Sequence, residues 1–123
     1  GRIVQVQADL LADTKSGTPG ASAVKVKGVI TWVAAHDAMR AEVRLYERLF
    51  TAAQPDAGGR DPLAGLNPSA KRVVDAWVEP TLRSAQRDES FQFERHGYFV
   101  ADRHDHCAEH PVFNKITGLK DGW

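Results

Sequence analysis

The sequence predicts a β-rich fold around one core, or pieces of two, on three observations. VKVKGVITWV at residues 24–33 sets Val24, Val26, Ile30 and Trp32 against Lys25, Lys27 and Thr31, the clearest period-2 alternation in the chain. RVVDAWVEP at 72–80 is rich in valine and closes on Pro80, which cannot donate to a sheet ladder. FQFERHGYFVAD at 91–102 is aromatic and β-rich, with Gly97 placed for a bend or bulge.

The remaining elements follow in order. RIVQVQA at 2–8 has enough β-branched alternation for a strand, and LADTKSGTPGASA at 11–23, with Gly17, Pro19 and Gly20, reads as a surface loop. AAHDAMRAEVRLYERLF at 34–50 is ambiguous: Met39, Val43, Tyr46 and Phe50 stand at helical spacing, while Val43, Leu45 and Leu49 also alternate with Arg44, Tyr46 and Arg48. Periodicity alone slightly favours a helix there. QPDAGGRDP at 54–62 is a loop, and Asp61 before Pro62 is an N-cap and N1 signal for one helical turn ending near Gly65. Asn67-Pro68 marks a turn, TLRSAQ at 81–86 a further helical turn, and VFNKITGLKDGW at 112–123 a last strand-like run.

Composition bounds the function classes. The chain has 123 residues, enough for one compact core, and its 42% apolar and 26% charged residues are those of a globular chain. Sixteen Lys and Arg balance sixteen Asp and Glu, so no global basic field points to nucleic acid or to an anionic membrane. No apolar run approaches the roughly 18–20 residues of a membrane span, and no leader pattern opens the chain. No membrane partner and a cytoplasmic location are therefore expected. A single cysteine fits a reducing compartment. The chain opens without a methionine and stops on Trp123, so a piece of a longer protein is expected.

Several chemistries find no motif: there is no phosphate-cradling glycine loop, no G-x-S-x-G and no H-E-x-x-H. DRHDHCAEHPVFN at 102–114 is more suggestive, because His104, His106, Cys107 and His110 are all metal-ligand types. Closed zinc sites, however, pair ligands from one turn with ligands from a distant element, and only His36 and His96 lie elsewhere. Solvated loop histidines are the favoured reading, with no physiological metal; a catalytic Cys107 is disfavoured too, because histidine partners usually come from separate elements and nothing in the sequence points to a depressed thiol pKa. RLYERLF and FQFERHGYF interleave aromatic and basic residues, as single-stranded RNA binding requires. On composition alone, Phe91, Phe93, Tyr98 and Phe99 are read as core.

VKVKGVITWVAAHDAMRAEVRLYERLF, FQFERHGYFVAD and PVFNKITGLKDGW together, in this order and spacing, resemble the C-terminal anticodon-binding region of bacterial glutaminyl-tRNA synthetase. The resemblance runs from about Ile3 to Trp123. It implies an all-β fold with short helical turns, consisting of parts of two β-barrels akin to an rRNA-binding ribosomal protein. Residues 1–34 would be the C-terminal strands of the distal barrel and residues 35–123 the returning part of the proximal one. It also implies a strand over 42–50 in place of a helix, with a short helical turn over 35–40.

The implied function is recognition of the anticodon loop of the tRNA for glutamine, inside a class I glutamine-tRNA ligase. The family's nucleotide-binding signatures are absent from these residues, so this chain lacks the catalytic site. ATP and Mg would belong to a catalytic domain upstream. The resemblance assigns Gln92 and Arg95 to the middle anticodon base, a uridine: a primary amide donates and accepts along a uracil edge, and a guanidinium holds an oxygen in fixed geometry. Strict alternation sets these two on opposite faces of one strand, unless a bulge near Gly97 re-aims Arg95 or its side chain reaches around. Lys25, Lys27, Arg44, Arg48, Lys115 and Lys120 are possible phosphate contacts or ordinary surface charges. Unpaired strand edges imply self-association of the isolated chain. The alternatives are the barrel region of a related glutamyl-tRNA synthetase, a small metal-binding module, or an rRNA-binding barrel.

Overall fold

The structure, a computed structural model, describes residues 1–14 and 17–120. Lys15 and Ser16 of the first loop, and residues 121–123 of the last strand-like run with its closing Trp123, lie outside the described residues. The chain divides into two units, Gly1–Ile30 and Thr31–Trp123.

The second unit is a five-stranded sheet of order β2-β1-β5-β4-β3, made of β1 (Met39–Tyr46), β2 (Lys71–Val78), β3 (Ser90–Phe93), β4 (Gly97–Ala101) and β5 (Val112–Thr117). All contacts between neighbours are antiparallel except β1 with β5, which run parallel. Among the described residues the only helical elements are short 3-10 turns, so the fold is all-β with short helical turns.

Residues 39–46 form a strand, not the helix that periodicity favours. Alternation buries Met39, Ala41 and Val43, which are 9%, 3% and 5% exposed. A helical face would instead have buried Tyr46, which stays 47% exposed. The strand wins because it is paired on both sides, along its whole length with β2 and at Glu42, Val43 and Arg44 with β5. The short helical turn implied over 35–40 is present only as a hydrogen-bonded turn, with the amides of Asp37 and Ala38 donating to the Ala34 carbonyl. The implied strand does not continue to residue 50; Phe50 makes only an isolated bridge to Leu66.

The local signals elsewhere hold. Asp61 accepts the Leu63 amide at 3.0 Å and caps the turn Pro62–Gly65. Pro80 closes β2 and begins the turn Pro80–Ser84. The aromatic run is not one strand but a hairpin, β3 and β4, with Phe93 opposite Gly97.

On the inner face, Phe93 stacks on Phe99 with centroids 4.4 Å apart, and Phe91 meets Phe113 edge to face at 5.8 Å. Val112 and Phe113 are fully buried, and removing a side chain of the size of Phe113 from water stabilises the fold by about 2 kcal/mol.

In the first unit, neither expected strand forms a ladder. Among the described residues its one regular element is the short turn Ala12–Thr14, while Ile3, Val4 and Val26 are exposed. Residues 2–8 and 24–33 have strand-like sequences, but alternation records only which side chains share a face. A strand also needs a partner for its N–H and C=O groups, and among the described residues these two runs have none.

Candidate nucleic-acid interface

The sheet of the second unit has one apolar face and one that carries polar and aromatic side chains. On the latter, Tyr46, Ile116, Tyr98 and Gln92 are all exposed and sit on the successive strands β1, β5, β4 and β3. Gln92 and Tyr98 are direct cross-strand partners and so share a face. Beside them β5 carries a bulge: Phe99 pairs with Lys115 and Tyr98 with Thr117, which leaves Ile116 as the extra residue.

The hairpin turn places Arg95. The His96 amide donates to the Phe93 carbonyl at 2.9 Å, and Arg95 takes a positive φ of 70°, a conformation usually left to Gly or Asn. Gly97 follows at φ 134°, and a Cβ there would fall on the Thr117 carbonyl oxygen, so β4 starts closer to β5 than a side chain would permit. Arg95 thus lies beyond the end of β3, in the turn, and strand alternation does not govern its direction. The structure brings Gln92 and Arg95 to the same end of one hairpin. Among the described residues neither side chain has a hydrogen-bond or ion-pair partner, and both are exposed.

The six basic residues separate into different environments. Lys25 and Lys27 are exposed in the first unit; in the second, Arg48 and Lys120 are exposed and Lys115 is half-buried. Arg44 is engaged by three carboxylates: Nε donates to Glu42 Oε1 at 2.6 Å, Nη1 to Asp102 Oδ2 at 3.2 Å, and Nη2 lies 2.7 Å from Asp105 Oδ2. Glu42 and then Asp105 raise its already high pKa.

Asp102 in turn accepts the amides of His104 at 2.9 Å and Asp105 at 2.8 Å, and the Asn114 side-chain amide at 2.6 Å. The Asp105 N–H first, then the Asn114 amide, hold its carboxyl well below the usual carboxylate range. Tyr46 closes the chain of contacts by donating to Asn114 Oδ1 at 2.8 Å. The network pins the 102–111 loop to the sheet and ties down the Tyr46 hydroxyl. Asn114 and Tyr46 carry no separate sequence signal, because the register that joins them is non-local.

The histidine-rich loop corrects the reading of solvated histidines at one position. His106 is 3% exposed. Its Nδ1 accepts the Val112 amide at 3.2 Å, its Nε2 donates to the Ala85 carbonyl at 3.1 Å, and the ring meets Phe113 edge to face at 5.3 Å. The neutral tautomer with the proton on Nε2 satisfies both bonds. His110 Nε2 lies 3.6 Å from Glu42 Oε2, whereas Cys107 is half-buried and exchanges backbone hydrogen bonds with His110. Among the described residues no three His, Cys, Asp or Glu side chains converge as a metal site.

Comparison of the sequence with known proteins finds a family and its relatives. The family model described as "tRNA synthetases class I (E and Q), anti-codon binding domain" matches residues 29–102, more than half of the chain. The chain is 61% identical over its whole length to glutamine--tRNA ligases of Cupriavidus taiwanensis and Ralstonia nicotianae, and 54% identical to that of Bordetella pertussis. In each case it spans 21% of the relative's length.

Proposed function

The chain belongs to the anticodon-binding domain family of the class I tRNA synthetases for glutamate and glutamine, and from that premise we propose that it grips the anticodon loop of the tRNA for glutamine. The parent protein is then a glutamine-tRNA ligase that attaches glutamine to its tRNA with ATP. ATP and Mg are assigned, in the same reading, to a catalytic domain upstream. The sequence here carries no glycine-rich phosphate loop, and among the described residues no three His, Cys, Asp or Glu side chains converge, which agrees with a recognition role for this part.

One observation carries the reading: Gln92 and Arg95, at one end of the β3–β4 hairpin, are exposed and have no hydrogen-bond or ion-pair partner among the described residues. An unpaired primary amide on a rigid strand can read a uridine edge by donating and accepting at once. An unpaired guanidinium in the adjoining turn can hold a base oxygen or a phosphate. Arg48, Lys115, Lys120, Lys25 and Lys27 remain available for phosphates, whereas Arg44 serves as the anchor of the 102–111 loop. Residues 1–34 and 35–123 are assigned to the distal and proximal barrels. Self-association through the open edges at β2 and β3 is part of the same reading.

The test is amide hydrogen exchange in the parent protein with and without glutamine tRNA. Protection is expected over β3, residues 94–96 and β4. Protection confined to other parts of the protein would overturn the assignment of the hairpin.

A further inference from the structure

Tyr98 stands out on the exposed face. Its neighbours in sequence and space, Phe91, Phe93 and Phe99, point into the core and stack there, while Tyr98 is 43% exposed on the opposite side of β4. It is the direct cross-strand partner of Gln92, which puts its ring within reach of whatever the Gln92 amide touches. Among the described residues the Tyr98 hydroxyl has no hydrogen-bond partner. Tyr46, the other exposed tyrosine of this face, has its hydroxyl tied to Asn114. The position of Tyr98 is also fixed from below, since Gly97 brings the start of β4 hard against the Thr117 carbonyl and the β5 bulge adjoins Tyr98 itself.

We infer that Tyr98 is the stacking platform for the base that Gln92 reads, and so a specificity-supporting residue of the site. An amide edge reads a base only if the base is held in the plane of the amide. An unstacked pyrimidine in a loop has no such constraint unless a ring lies beneath it. The strand pairing supplies that arrangement: one strand presents the edge reader and the next presents the face. The inference rests on the anticodon reading above.

The test is binding of the glutamine tRNA anticodon stem–loop to the parent protein at fixed salt. It compares Tyr98→Leu, Tyr98→Phe and Gln92→Ala, each with the normal loop and with a loop abasic at the middle position. Tyr98→Leu keeps apolar volume and loses the ring face, so affinity for the normal loop should fall roughly 5- to 150-fold. Tyr98→Phe should stay within about two-fold of the unsubstituted protein, and the penalty of Tyr98→Leu should vanish with the abasic loop. Equal losses for Phe and Leu, or a Leu penalty that persists on the abasic loop, would overturn the stacking role. So would no loss for Leu while Gln92→Ala still weakens binding, which leaves the Gln92 assignment standing. If Gln92→Ala also has no effect, the anticodon reading of the hairpin falls as well. Unchanged exchange protection of β4 in each variant shows that the sheet is intact.

Discussion

His106 donates from Nε2 to the Ala85 carbonyl at 3.1 Å, from a site closed to solvent between the Pro80–Ser84 turn and β5. With its other nitrogen on the Val112 amide, the ring stitches the chain before the hairpin to the strand after it. His106→Ala would strand the half-buried Ala85 carbonyl and the buried Val112 amide and open a cavity against Phe113. The expected loss is about 2–4 kcal/mol, seen as faster exchange of the β5 amides in the parent protein. Exchange unchanged from the unsubstituted protein would contradict the structural role.

Asp102 gives the fold a dependence on acid. Its carboxyl is held below the ordinary value of about 3.9 by the Asp105 amide, then by the Asn114 side chain. A group whose folded pKa is depressed contributes stability that is full above the unfolded value and is lost as pH falls through the folded one. Asp102→Asn should therefore cost about 2 kcal/mol near pH 7, and the difference should narrow as the pH is lowered below about 4. Denaturant titrations at several pH values measure it; a constant difference between variants would contradict the assignment.

Arg95 holds a left-handed backbone conformation that costs a non-glycine residue about 1–2 kcal/mol. Arg95→Gly removes that strain at some cost in chain entropy, so stability should rise by about 0.5–1 kcal/mol while tRNA affinity falls. A variant that loses stability, or one that binds as well as the unsubstituted protein, would show that the arginine is kept for another reason.

Local signals in the sequence were sufficient where a single residue sets the backbone. Asp61-Pro62, Pro80 and Gly97 each mark their turn because a missing N–H or an absent Cβ acts within a residue or two. Met39–Tyr46 was not legible from periodicity, because its conformation is decided by β2 and β5, which pair with it from distant parts of the chain. For the same reason residues 2–8 and 24–33 have the pattern of strands without the ladder. In the site, Gln92 and Arg95 could be named from the resemblance, but their common position depends on the turn at 94–96. Composition groups Tyr98 with the core phenylalanines, and only the hairpin register shows that it shares the face of Gln92. His106 could not be told from His104 and His110 by composition; its burial comes from Ala85 and Val112 on either side.

The most direct test of the central claim is binding of the glutamine tRNA anticodon stem–loop to the parent protein and to its Gln92→Ala variant, with a loop substituted at the middle base as control and salt held fixed. The account predicts a loss of about 1–3 kcal/mol for the normal loop and weaker discrimination against the substituted one. Equal affinity and equal discrimination in the two proteins would contradict it.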